Sequence, residues 1–222
     1  MDLEKARFNM IEQQIRPWNV LNQQVLDLLE VIKREHFVAP ELEKIAFTDC
    51  ELPIRVDGQD TGELMLSPKM EARMLQDLDL KSHEKVLEIG TGTGYTAALM
   101  AQQCAHVTSI EINPAIAELA RQNLKTNNIA RVKVLEGCGF ELAPSLGQFD
   151  VIVLSGASPV QPKNLVNALN PLGRMIAVIG QAPVMQLVLV TKSKDGQLIS
   201  TPLLETVIKH LQNAPKADEF VF

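Results

Sequence analysis

The 222-residue chain holds only three cysteines, Cys50, Cys104 and Cys138, and four histidines, His36, His83, His106 and His210. The cysteines are odd in number, widely spaced and free of a Cys-x-x-Cys pair, and the histidines are equally scattered. Neither disulfides nor a metal site are expected, and a reducing, cytoplasmic setting fits this usage best. No uninterrupted run of about 18 apolar residues occurs, so no membrane span is expected. The stretch from Met175 to Val190 comes closest, but Gly180, Gln181, Pro183 and Gln186 break it. Basic excess is also lacking: the formal net charge of −6 argues against a general affinity for nucleic acid. The start, Met1-Asp2-Leu3-Glu4-Lys5, has no apolar core behind a basic flank, so no signal peptide is expected. Internal repeats and low-complexity segments are absent. What is present is an ordinary globular composition, 46% hydrophobic and 22% charged. The length suits one domain, a sheet covered by helices on both faces.

Residues 1–36 read as helices, broken at Pro17, with Val20, Leu21, Val25, Leu28, Leu29 and Ile32 at helical spacing. Trp18, the only tryptophan, is read as a helix-packing residue. Residues 40–66 are polar and turn-rich, a long loop or small cap. Ser67 and Pro68 have the form of an N-cap and first helical residue, before a helix carrying Met70, Met74, Leu75 and Leu78 on one face. Strands are then expected at 85–89, 106–111, 131–135, 149–154, 174–179, 184–192 and 203–209. Helices are expected between the first five, at 94–103, 114–126, 139–145 and 161–169. This alternation predicts a mostly parallel seven-stranded sheet in a three-layer αβα, Rossmann-like α/β fold, with an N-terminal helical cap. Residues 1–66 are assigned to the cap and 67–222 to the ligand-binding part of a single structural domain. Residues 212–222 read as a tail, with Phe220 and Phe222 as its candidate docking residues.

The richest segment is Val86-Leu87-Glu88-Ile89-Gly90-Thr91-Gly92-Thr93-Gly94, followed by an apolar run that Glu111 ends. Gly90, Gly92 and Gly94 permit a tight turn against a ligand, and Glu111 suits the two hydroxyls of a ribose. A nicotinamide-binding turn would read G-x-G-x-x-G, but its third glycine position is Tyr95 here. The pattern acidic-x-Gly-x-Gly-x-Gly is the one used for S-adenosylmethionine. Glu88 would orient the loop or meet the ligand's ammonium group, Gly90 and Gly92 would approach the methionine part, and Gly137-Cys138-Gly139 would read the adenine edge. Thr91, Gly94, Tyr95, Ile112 and Ser155 complete the candidate cofactor set.

Other segments resemble the protein-L-isoaspartate O-methyltransferase family. Glu35-His36-Phe37-Val38-Ala39-Pro40 is similar to its R-x-x-F-V-P, and Phe47-Thr48-Asp49-Cys50-Glu51-Leu52-Pro53-Ile54 to A-Y-x-D-x-P-L-P-I. Val86 to Ala97 is nearly V-L-E-I-G-T-G-S-G-Y-Q-A. Phe149-Asp150-Val151-Ile152-Val153 with Ala157-Ser158-Pro159 resembles F-D-x-I-x-V-x-x-A-A-P, and Leu169 to Arg174 resembles L-x-x-G-G-R. The resemblance implies methyl transfer from S-adenosylmethionine to the side-chain or α carboxylate of isoaspartyl residues in damaged proteins, with S-adenosylhomocysteine as product. A monomer or homodimer is expected, with no nucleic-acid or membrane partner. A carboxylate is already ionised at neutral pH, so alignment rather than a base carries such a reaction. The resemblance also implies that Ser67 matches the serine of the family's G-Q-T-I-S, beside cofactor and acceptor.

Departures are visible. Gly58-Gln59 is followed by Asp60-Thr61-Gly62-Glu63-Leu64, so the compact G-Q-T-I-S loop is rewritten. Cys138 replaces the aspartate of G-D-G, and a thiol is a weak acceptor for an adenine amino group. A methyltransferase of another substrate, or a cofactor-binding module with a decayed acceptor site, are the alternative readings.

Overall fold

The computed structural model describes residues 2–216; Phe220 and Phe222 lie outside the described residues. Helix α1 (Leu3–Met10) starts where the Asp2 carboxylate accepts from the Lys5 backbone N–H. A π turn over Ile11–Ile15 and a 3-10 turn over Arg16–Trp18 follow, ended by Asn19 at φ 60°. Trp18 is half-buried against the N-terminal core, with Lys69 Nζ 4.2 Å from its ring centroid. Helix α2 (Gln23–Val31) is capped by Asn22, whose side chain accepts from Gln24 N.

The segment 40–66, expected as a long loop or small cap, is a 3-10 turn, Pro40–Ile45, and an antiparallel hairpin of β1 (Leu52–Val56) and β2 (Gln59–Met65). Asp57 and Gly58 form its two-residue turn, both at positive φ (50° and 76°). That is the Asp-Gly chemistry of a hairpin whose turn twists with its strands. Helix α3 (Pro68–Leu78) follows; Ser67 has the N-cap backbone, but its side chain makes no capping hydrogen bond.

The main sheet is built from β3 (Lys85–Ile89), β4 (His106–Glu111), β5 (Val132–Glu136), β6 (Phe149–Ser158), β7 (Leu169–Gln181), β8 (Val184–Lys192) and β9 (Leu198–Glu205). Its helices are α4 (Tyr95–Ala101), α5 (Pro114–Thr126), α6 (Gly139–Leu142) and α7 (Lys163–Asn167). The strand order is β5-β4-β3-β6-β7-β8-β9. Neighbours from β5 to β7 pair in parallel, and β8 runs antiparallel to both β7 and β9. The last strand thus lies earlier than the expected 203–209, because the turn after Lys192 pairs that residue with Leu198. Helix α6 stops at Leu142, before a 3-10 turn containing Pro144.

The central strands are buried on both faces. Val86, Val151, Val153, Ile176 and Val178 face the core shared with the N-terminal helices. Leu87, Ile89, Ile152, Leu154, Met175 and Ala177 face a second core with Phe140, Leu165 and Val166. This period of two, apolar on both sides, is what covered parallel strands require. Chain order reverses direction at β3, between β4 and β6, and opens a crevice at the strand C-termini where α/β sheets take ligands. Among the described residues, no helix is long and apolar enough to cross a membrane.

Candidate active site

The turn after β3 is supported from below by Glu88, which is fully buried. Its Oε2 accepts from Ser109 Oγ at 2.6 Å and its Oε1 from Ser155 Oγ at 2.8 Å. Burial pushes the Glu88 carboxyl up to about 7, with the two serine hydroxyls opposing the rise. Above it, Gly90 N donates to Ile110 O, and Gly90 and Gly92 stand at φ +88° and +53°. Glu111 ends β4 and grips this turn: its Oε2 accepts from Gly92 N and its Oε1 from Asn113 N, both at 3.0 Å. Burial raises the Glu111 carboxyl above its ordinary range, and these backbone N–H groups counter it.

A cavity of about 70 Å³ lies over these turns. Gly90, Gly92, Glu111, Ile112, Gly137, Gly139 and Ser155 all line it, as do Ile89, Ile110 and Ile116. Seven of the sequence-chosen cofactor residues therefore meet at one place. The others do not line it. Glu88 sits beneath the turn. Thr91 is buried with its hydroxyl 2.6 Å from Ser109 Oγ. Gly94 packs against Ala120 and Leu124 of α5. The cofactor contact expected of Tyr95 is replaced by a core role: its ring lies edge-on to Phe37, and its hydroxyl donates to Ile32 O at 3.3 Å. The first residue of α4 faces the N-terminal helices because the turn has already delivered the chain to that side of the sheet. Cys138 packs against the second core, and Ser67, half-buried at the head of α3, is outside the lining.

Two groups of lining residues escaped the sequence reading. Ile54, Glu63 and Leu64 come from the hairpin, and Leu211 and Gln212 from the segment after β9. Asp57-Gly58 was a usable hairpin signal; nothing local marks Leu211. That segment is tied to β6 by Ala157 N to Lys209 O and Leu211 N to Ala157 O, both 2.9 Å. Leu211 Cδ2 occupies the space that Gly90 and Gly156 leave open, 2.8 Å from where either residue's Cβ would stand. Glu63 closes the rim, bound to Lys209 Nζ and Gln212 Nε2, each at 2.9 Å.

A buried ionic group holds the hairpin and α3 in place. Arg34, fully buried, pairs with Glu71 and donates to Ala46 O (2.9 Å) and Leu66 O (2.6 Å), with its guanidinium 5.3 Å from the Tyr95 ring centroid. Arg7 pairs with Glu35 in the same region. Among the described residues, no group of three His, Cys, Asp or Glu is placed to hold a metal ion.

A family profile described as protein-L-isoaspartate(D-aspartate) O-methyltransferase matches residues 5–212. The chain belongs to this family. A protein-L-isoaspartate O-methyltransferase of Methanoculleus marisnigri is 37% identical over 199 residues, covering 90% of this chain and 88% of that one. One from Hyperthermus butylicus is 35% identical, covering 90% and 85%. A solved protein-L-isoaspartate O-methyltransferase superposes with a TM-score of 0.77 at 25% identity, over 95% of this chain and 66% of that one. The fold is also that of a Plasmodium falciparum protein solved with S-adenosyl-L-homocysteine, at a TM-score of 0.78, 19% identity and coverage of 96% and 99%. Within this methyltransferase family, the glycine turn, Glu111 and the 137–139 turn of this chain converge on the crevice beside β3.

Proposed function

We propose that the chain transfers a methyl group from S-adenosylmethionine to the free carboxylate of L-isoaspartyl residues in damaged proteins, a repair reaction. The observation that carries this reading is the convergence of Gly90, Gly92, Glu111, Gly137, Gly139 and Ser155 on one cavity at the sheet's switch point. These residues fit the cofactor. Bare glycine backbone lies where a ligand must approach closely, and Glu111 lines the cavity with both oxygens already held by backbone donors. Glu111 would hold the ribose hydroxyls, Gly90 and Gly92 the methionine part, and the 137–139 turn the adenine edge. When bound, the cofactor supplies a methyl group on a positively charged sulfur. The acceptor is already ionised, so the protein's work is to orient it and exclude water. The lining residues suit that task, since no histidine, lysine or cysteine is among them.

In this reading residues 1–66 are the cover and 67–222 the cofactor-binding part of one domain, and the cysteine usage supports a cytoplasmic setting. The test is incubation with methyl-labelled S-adenosylmethionine and an isoaspartyl peptide, with release of label by mild base as the mark of a methyl ester. Binding of S-adenosylhomocysteine, read as thermal stabilisation, without ester on several such peptides would refute the acceptor assignment.

A further inference from the structure

We infer that Lys209 and Gln212 are the donors that seat the acceptor carboxylate, and that Glu63 occupies their site as an internal carboxylate until an acceptor displaces it. The inference rests on the methyltransferase reading above and names the acceptor subsite of the same cavity. Both Glu63 oxygens are engaged, Oε2 by Lys209 Nζ and Oε1 by Gln212 Nε2. These donors come from a segment remote in sequence and meet Glu63 only at the cavity rim. An acceptor carboxylate needs the same reception: a cation and an amide N–H on its oxygens, beside an apolar wall. Leu211 supplies that wall, lying between the two donors in sequence and covering Gly90 and Gly156.

Lys209 does not depend on Glu63 alone for its position. Lys209 Nζ also donates to Gly62 O at 2.6 Å, and the backbone of Lys209 and Leu211 is hydrogen-bonded to Ala157. The Lys209 and Glu63 side chains are 43% and 24% exposed, so solvent screens their pairing and a second carboxylate can replace Glu63 at small cost. Leu211 and Gln212 line the cavity, and Lys209, itself outside the lining, reaches its rim through Glu63.

The test uses the full chain with an isoaspartyl peptide, reading KM and kcat for methylation and the peptide Kd for the S-adenosylhomocysteine complex by calorimetry. Lys209→Ala should raise KM and peptide Kd about tenfold or more, because a hydrogen bond to a charged group is lost. Gln212→Ala should act in the same direction, and Lys209→Arg should restore most of the affinity. Glu63→Gln should do the opposite, lowering KM and peptide Kd, because it removes the competing charge. A merely structural clasp would make Glu63→Gln and Lys209→Ala change affinity in the same direction, and that result overturns the inference. Unchanged peptide affinity in Lys209→Ala overturns it too, as does a wild-type complex that binds no peptide. Peptide binding that depends on Lys209, with no ester formed by the wild type, would refute the proposed reaction and leave the carboxylate subsite standing.

Discussion

Replacing Glu88 with glutamine should flatten the dependence of stability on pH. The native Glu88 carboxyl is fully buried and titrates at about 7 rather than at its ordinary 4.5, chiefly because burial disfavours the charge. Between those values the native chain keeps a proton that the unfolded chain has released. The stability contributed by this group is therefore fully present below about pH 4.5 and is lost as pH rises through about 7. A displacement from 4.5 to about 7 corresponds to about 3 kcal/mol. Glutamine keeps the shape, can accept from one serine and donate to the other, and carries no charge. Glu111 and Glu71 also titrate above their ordinary range and leave a slope in both proteins, so the comparison subtracts most of it. Urea unfolding of the cofactor-free chains at about pH 5 and about pH 8 measures the Glu88 contribution, with the wild type losing about 2.5 kcal/mol more than the variant. Parallel curves would refute the reasoning, showing that Ser109 and Ser155 solvate the ionised carboxylate as well as water does.

Glu111→Ala should weaken S-adenosylhomocysteine binding by about ten- to a hundredfold in calorimetry, since hydrogen bonds to a charged group are removed; unchanged affinity would undo the cofactor placement. Tyr95→Phe deletes the donor to Ile32 O and should cost about 1 kcal/mol in urea unfolding with ligand affinity intact, whereas a loss of binding would return Tyr95 to the site. Burial raises Glu71 to about 7, so Arg34→Met leaves a buried charge without its cation only above that pH and should destabilise the chain by about 3–5 kcal/mol at about pH 8; a cost below about 1 kcal/mol there would show that Glu71 stays neutral in the native state. Ser67→Ala removes a side chain that makes no capping bond and lies outside the cavity lining. It should change turnover of an isoaspartyl peptide by less than about twofold, and a tenfold fall would place Ser67 at the acceptor.

Local chemistry made much of the fold legible. The strands at 85–89, 106–111 and 184–192 and the helix at 114–126 have the bounds their sequence pattern predicts. Apolar alternation, the Ser67-Pro68 start and the glycine turn are properties of neighbouring residues. The glycine spacing and Glu111 pointed to the cavity for the same reason, since a strand end and the turn after it form one local unit. Elsewhere local pattern was silent or misleading. Tyr95 follows directly on the glycine turn, yet it serves the core, because the side a helix residue faces depends on what packs there. The segment 40–66 was expected as a long loop or small cap, and its hairpin went unread although Asp57-Gly58 announced it.

The sequence by itself determined the alternating sheet-and-helix architecture, the glycine turn and the carboxylate after the second strand of the main sheet. Only the tertiary structure decided the burial of Glu88, the selection of which loop residues face the cavity, and the meeting of Glu63 with Lys209, Leu211 and Gln212 at its rim. The physical reason is separation along the chain. Periodicity reports which face of an element is apolar, whereas desolvation and cross-chain pairing exist only once distant segments have docked.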